Sequence, residues 1–316
     1  MNSFKEIQEQ IESANNIIIT AHINPDGDAV GASLALTQVL LNKGKNVRCV
    51  LQDLPPVNTK FLKNINLIEK YNENILYRPD IIISLDSATI DRIGKMKKIY
   101  GNFKSINIDH HVSNTYYGNL NYVENVSSTS EIIYDFIKFC GYELDKEIAE
   151  SLYVGLVNDT GNFKHKNVTA KTFSMAGDLI NHGVDNSYIV REFFNKKSLT
   201  AIKLKAHALV NMKFSAIHKL SYYVMTKDVL DSFGGKKEDT EGIVEELLAL
   251  DSAEVSLFLR EDEIGYIKGS MRSKSVDVNK IANSFNGGGH KLAAGFSSRM
   301  DKLEIIQKVM DCIHYN

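Results

Sequence analysis

The sequence predicts an α/β protein: a parallel sheet flanked by helices, followed by a second, smaller mixed α/β domain. Three observations carry this. Apolar, β-branched runs, "NIIIT" (16–20), "NVRCVL" (46–51), "DIIISLD" (80–86) and "FKSINID" (103–109), recur through the first half, with helix-like stretches at 29–43 and within 58–74. The runs are apolar throughout instead of alternating, as befits strands covered on both faces of a parallel sheet. After a helical stretch at 188–212 the pattern changes to shorter strand candidates.

From about residue 127 the first domain turns helical. "SSTSEIIYDFIKFCG" has Thr129 or Ser130 as N-cap and Gly141 as C-cap, and further helices follow at 145–157 and 169–182. The boundaries read as 1–188 for the first domain, 189–211 for a helical connector and 212–316 for the second domain. In the latter, 221–226, 254–261 and 264–273 read as strands, the last two as a hairpin around "DE", with a helix at about 239–250. "VDVNKIANSFNGGGHKLAAGFSS" supplies a helix, a glycine-rich turn and one more element. The basic residues of the connector read as a solvated helix face.

Composition narrows the function. At 316 residues, 43% hydrophobic and 24% charged, the chain can bury a large core, and no apolar run approaches the roughly 20 residues a membrane span needs. The polar, amphipathic N-terminus lacks a secretory signal, so a cytoplasmic location is expected. Cys49, Cys140 and Cys312 are far apart without CxxC spacing, which argues against a disulfide framework or a thiolate metal site. A net charge of −2 excludes the strongly basic profile of a protein that coats long nucleic acid, but not a local cationic pocket.

The strand candidates end in chemistry. "NIIIT" runs into "AHINPDGD", "IIIS" into "LDSA" and "INI" into "DHH". Ligands of open parallel sheets bind at the carboxyl ends of the strands, so these ends should meet. With Asp159 of "GLVNDTGNF", the edge gathers His22, Asp26, Asp28, Asp86, Asp109, His110, His111 and Asp159. Carboxylates so crowded repel unless a counter-charge is bound, and divalent metal is the simplest one. Carboxylate and imidazole without thiolate suit manganese or a similar ion, and bridging carboxylates can hold two. Phosphoester or phosphoanhydride hydrolysis is the chemistry this suggests.

In order and spacing, "HINPDGDAVGAS", "LDSA", "DHH" and "NDTGNF" resemble the four motifs of the DHH phosphoesterase superfamily. The resemblance implies a two-metal site, usually manganese: His22, Asp26 and Asp86 around one ion, Asp28, Asp86, His110 and Asp159 around the other, Asp86 bridging. It implies His111 facing the phosphate and Asp109 orienting an imidazole, as ligating histidines generally require. "NGGGHKLAAGF" (286–296) resembles the signature of the DHH-associated C-terminal domain of nanoRNases and 3′-phosphoadenosine 5′-phosphate phosphatases. The carry-over makes Arg272, Gly287, Gly288, Gly289 and His290 substrate contacts, with His290 reaching the scissile phosphate. The implied substrates are short single-stranded RNA oligonucleotides and small nucleotides, and the implied assembly is a homodimer. A cyclic-dinucleotide phosphodiesterase is the nearest alternative, ahead of a manganese pyrophosphatase or a non-catalytic nucleotide sensor.

Overall fold

The apolar runs of the first half become parallel strands. In the computed structural model, which describes residues 2–313, the chain divides into two units, Met1–Lys196 and Lys197–Asn316. The first unit holds β1 (Asn16–Ala21), β2 (Asn46–Leu51), β3 (Ile68–Lys70), β4 (Ile81–Leu85), β5 (Lys104–Asp109) and β6 (Leu120–Val123) in one sheet, ordered β3-β2-β1-β4-β5-β6. Every pairing is parallel. The order reverses between β1 and β4, the topological switch point at which such sheets bind ligands. Their register, Ile17 opposite Ile81 through Ala21 opposite Leu85, brings both strands to an end together.

Both faces are covered, as the unbroken apolar runs require. α1 (Phe4–Ser13), α2 (Gly27–Asn42), α4 (Thr129–Phe139) and α5 (Lys146–Asp159) build the larger core, into which Ile17 and Ile19 point. Ile18, Val50 and Ile82 alternate to the other face, under Ile93, Met96 and Tyr100. The last of these belongs to the short helix α3 (Lys97–Tyr100), while α6 (Ala170–Asn181) and α7 (Asn186–Val190) complete the unit.

The second unit begins with α8 (Leu199–Val210). Its strands β7 (Lys213–Ser215), β8 (Leu220–Met225), β9 (Val255–Glu263), β10 (Tyr266–Ser273), β11 (Gly288–His290) and β12 (Ala293–Ser298) form a mixed sheet, ordered β11-β12-β10-β9-β8-β7. Only β8 and β9 run parallel among these pairs. One face packs on α11 (Val278–Asn283) and α12 (Lys302–Cys312), through Leu257, Met271 and Ala294. The other packs on α8, α9 (Lys227–Ser232) and α10 (Ile243–Leu248), through Tyr223 and Phe258.

Four sequence expectations are corrected. The stretch 58–74 is not α-helical: two 3-10 turns, Val57–Thr59 and Lys63–Leu67, lead into the edge strand β3. The stretch 188–212 is not one helix, because α7 passes through a π turn to an extended Lys196 and Ser198 caps a new helix by accepting from the Ala201 amide at 2.9 Å. The hairpin turns at Ile264-Gly265 with Gly265 at φ 72°, so Asp262 and Glu263 remain in β9. The cap of α4 is Ser128, whose hydroxyl accepts from the Glu131 amide at 3.1 Å, while the Thr129 and Ser130 amides are taken by a carboxylate from α2. Among the described residues no helix is long and apolar enough to cross a membrane.

α2 and α5 cross at two glycines. A Cβ on Gly31 would stand 2.3 Å from the Ser151 carbonyl oxygen, and one on Gly155 would stand 1.9 Å from Ser130 Oγ and 2.6 Å from Asp28 Oδ1. This close approach seats the C-terminal end of α5, and with it Asp159, beside Asp28. Gly31→Ala must push backbone apart, and overpacking of this kind costs about 1–3 kcal/mol. A lower denaturation midpoint with an unchanged m-value is expected in urea unfolding; unchanged stability would remove this crossing as a determinant of the fold.

Candidate metal centre

Each strand end delivers one piece of the site. Past β1 the chain reaches His22 and then the N-terminus of α2, where Asp26 is the N-cap, its Oδ1 accepting from the Asp28 and Ala29 amides at 3.0 and 3.1 Å. Past β4, Asp86 adopts a left-handed φ of 52° and is 2% exposed. An aspartate tolerates that region better than most residues, but at a cost of the kind stored at functional sites. β5 ends on Asp109, which is wholly buried, and His110 and His111 follow it. α5 ends on Asp159.

The arrangement is centred on Asp86. Its Oδ2 lies 3.4 Å from His22 Nε2, itself 3.8 Å from Asp26 Oδ1. Its Oδ1 lies 3.5 Å from His110 Nε2, which is 3.1 Å from Asp159 Oδ2. Two groups of donors, His22 with Asp26 and Asp86, and Asp28 with His110 and Asp159, each lie with their atoms within 4.8 Å of one another, and a third such group joins Asp86 and His110 to His111. The imidazoles are pre-set. His22 Nδ1 sits 2.8 Å from the Ile23 carbonyl and His110 Nδ1 3.3 Å from that of Val126, so each carries its proton on Nδ1 and turns Nε2 to the carboxylates.

Asp28 is the most confined member. Fully buried, it accepts from the Thr129 and Ser130 amides at 2.6 and 2.9 Å, at the N-terminus of α4, where the helix dipole favours negative charge. Burial, then the charges of Asp159 and Asp86, nevertheless push its carboxyl well above the ordinary range. Burial, with Asp86 and Asp26 nearby, also raises Asp159. Burial opposes charging the imidazoles, yet the carboxylates outweigh it and push His22 and His110 up to about 11. For Asp26, burial is outweighed by His22 and the two amides, which hold it at about 2. Protons on imidazole thus do part of the neutralising that a cation would do better, and a set of carboxylates and imidazoles without thiolate fits a hard or borderline divalent ion.

His111 has a different anchorage. Its Nδ1 meets Asp109 Oδ1 at 2.8 Å, and the other oxygen of Asp109 accepts from Asn114 at 2.6 Å. Asn114 also donates to Asn107, whose amide reaches Tyr117 and Ser84 beneath the sheet. Asp109 therefore orients His111, and the Val126 carbonyl orients His110. Asn114, Asn107 and Gly155 went unread in the sequence: the first two lie in no recognisable motif, and a helical glycine signals close packing only once its neighbour is known.

The second unit places two of its sequence-predicted residues, Arg272 and His290, on one row. Arg272 pairs across to Ala293, and Ala293 to His290 on the far side, so Arg272 and His290 share a face over Ala293. Ser270, Gly295 and Gly288 form the next row on that face. The triple glycine is thus partly an edge strand: a Cβ on Gly287 would meet the Gly295 carbonyl at 2.3 Å and one on Gly289 the Ala293 carbonyl at 2.5 Å, while one on Gly288 would only touch the Asn279 and Asn283 side-chain oxygens at 3.8 Å. The Arg272 guanidinium is held by Glu245 of α10 at 2.9 Å.

Comparison with known proteins agrees with this architecture. Residues 16–156 match the DHH family, N-terminal domain, and residues 220–314 match the DHHA1 domain. The chain belongs to the DHH family of phosphoesterases and is a hydrolytic enzyme. It is 31% identical, over 92% of both chains, to the bifunctional oligoribonuclease and PAP phosphatase NrnA of Bacillus subtilis. It is 30% identical, over 94% of both chains, to a probable protein of that name from Streptococcus mutans. An exopolyphosphatase-related protein from Bacteroides fragilis superposes with a TM-score of 0.93 at 29% identity, covering 98% of this chain and 95% of that one.

Loading a divalent ion must expel protons from His22 and His110, so affinity is expected to rise between about pH 6 and about pH 8, with proton release visible as buffer-dependent heats in calorimetry. The ion-free protein should do the reverse. Imidazoles raised to about 11 contribute stability that is fully present below about 6.5 and lost as pH rises from there through about 11. Affinity independent of pH across this range would contradict the charge assignment.

Proposed function

We propose that this chain hydrolyses short RNA oligonucleotides from an end to mononucleotides, and 3′-phosphoadenosine 5′-phosphate to AMP, with two divalent ions, manganese foremost. The observation that carries the reading is the position of Asp86, one oxygen turned to each donor group. His22, Asp26 and Asp86 would hold one ion, and Asp28, Asp86, His110 and Asp159 the other. Such a pair, when bound, polarises phosphoryl oxygens and lowers the pKa of water. The names of the relatives support the substrate class.

The chain's own groups do the rest. Burial opposes charging His111, yet the Asp109 and Asp86 carboxylates outweigh it and favour its protonated form, which donates to a phosphoryl oxygen. Asp109 and Asn114 hold that ring in place. In the second unit, Arg272 suits bidentate phosphate recognition once it exchanges Glu245 for substrate, His290 and Gly288 share its face of the sheet, and Gly287 and Gly289 would contribute through their backbone.

The test is turnover of a linear diribonucleotide, 3′-phosphoadenosine 5′-phosphate, a cyclic dinucleotide and pyrophosphate, each with manganese, followed by chromatography. The linear dinucleotide and the bisphosphate should turn over, and Asp86→Asn should lower both rates by about 10³-fold or more, the scale of removing a principal source of electrostatic stabilisation. Turnover of only the cyclic compound, or only pyrophosphate, would overturn the substrate assignment. Asp109→Asn should lower kcat by about 10- to 100-fold with manganese affinity retained, as for an orienting partner; equal loss of metal binding would place Asp109 among the ligands.

A further inference from the structure

We propose that Arg92, with the lysine-lined pocket beside it, binds a second phosphate group of the substrate, one linkage away from the scissile bond. The proposal rests on the phosphoesterase reading and adds a subsite to the first unit itself. Arg92 lies in the 3-10 helical segment Ile90–Met96 after β4 and is exposed. Its carbonyl accepts from the Ile23 amide at 2.7 Å and its own amide donates to Thr89 at 3.0 Å, so its backbone is pinned to the segment that carries His22.

The guanidinium has an unusual neighbour. Arg48, Arg191, Arg260 and Arg272 each pair with a carboxylate. Arg92 Nη2 instead stands 3.4 Å from His22 Nδ1, the nitrogen whose proton is committed to the Ile23 carbonyl. Two N–H groups facing one another make no hydrogen bond, so the donors of this fork are unspent beside the site. They also lie on the side of the imidazole away from Nε2, a ring's width back from the carboxylates. From there they meet the substrate's next phosphate, not the scissile one.

A pocket of about 450 Å³ beside this segment is lined by Lys95, Lys97 and Lys98 together with two carboxylates, Asp91 and Asp53, the latter committed to the Asn24 amide at 3.0 Å. Residues 91 and 94 to 98 flank Arg92 in sequence, and Gly94, at φ 61°, turns the chain so that a Cβ there would strike Ile23 Cγ2 at 2.8 Å. Lys97 pairs with Asp91 at 2.7 Å and Lys95 with Glu73 at 3.4 Å. Solvent-exposed pairs such as these contribute little, so exchanging them for a phosphate costs little. The planar fork of Arg92 gives the anchor and the lysines a surrounding positive field.

The experiment compares wild type, Arg92→Ala, Arg92→Lys and Lys98→Ala. Substrates are 3′-phosphoadenosine 5′-phosphate, which carries a second phosphate, and bis(p-nitrophenyl) phosphate, which does not; calorimetry gives AMP and manganese affinities separately. Arg92→Ala should weaken AMP binding and lower kcat/KM for the bisphosphate by about 10- to 100-fold, the range of a charge-assisted hydrogen bond, mainly through KM. That loss should exceed the loss on bis(p-nitrophenyl) phosphate by about tenfold, with Arg92→Lys and Lys98→Ala showing smaller effects in the same direction. Equal losses on both substrates with weakened manganese binding would mean that Arg92 acts only through His22, and no effect on AMP binding would equally overturn the subsite. If wild type turned over neither the bisphosphate nor a dinucleotide, the proposed function would fail; AMP affinity that depends on Arg92 would still support the subsite.

Discussion

The constraint on which this protein is built is the mutual repulsion of carboxylates brought to one edge of a parallel sheet. Asp28 is fully buried and Asp86 nearly so, and burying like charges without a counter-ion is among the costliest things a fold can do. The surrounding structure answers that cost locally. The N-terminus of α4 donates two amides to Asp28, α2 donates two to Asp26, and three imidazoles stand between the carboxylates. These devices orient the donors and leave negative charge over for a cation.

Sheet order then decides which residues meet. With β1 and β4 adjacent at the point where the winding reverses, His22 and Asp86, far apart in the chain, end side by side. β5 lies next to β4 and adds His110 and His111. α5 packs on α2 through Gly31 and Gly155 and adds Asp159. A left-handed residue at Asp86 completes the geometry by turning the carboxylate into the gap between the groups.

Much of this was legible in the sequence because its signals are local. The four long apolar runs fall on strands, and "AHINPDGD", "LDSA" and "DHH" fall on strand ends. Where reading failed, the missing information was tertiary. β3 has three residues and pairs only along one edge, too short for a periodic signal, so its surroundings read as helix. The cap of α4 lies one or two positions before the expected one because four consecutive hydroxyl residues, Ser127 to Ser130, can each cap a helix, and the earlier start is anchored by Asp28, a hundred residues upstream, which takes the Thr129 and Ser130 amides. Asn114 and Arg92 were invisible because an asparagine in a loop and an exposed arginine have no period; only a distance to Asp109 or to His22 gives them meaning.

The central claim is that Asp86 holds together two cation positions, one on each oxygen. A crystal structure of the protein grown with manganese, with anomalous differences collected at the manganese edge, addresses it directly. The account expects two peaks, one contacting Asp86 Oδ2 together with His22 and Asp26, the other contacting Asp86 Oδ1 together with Asp28, His110 and Asp159. A single peak, or manganese bound by residues that exclude Asp86, would contradict it.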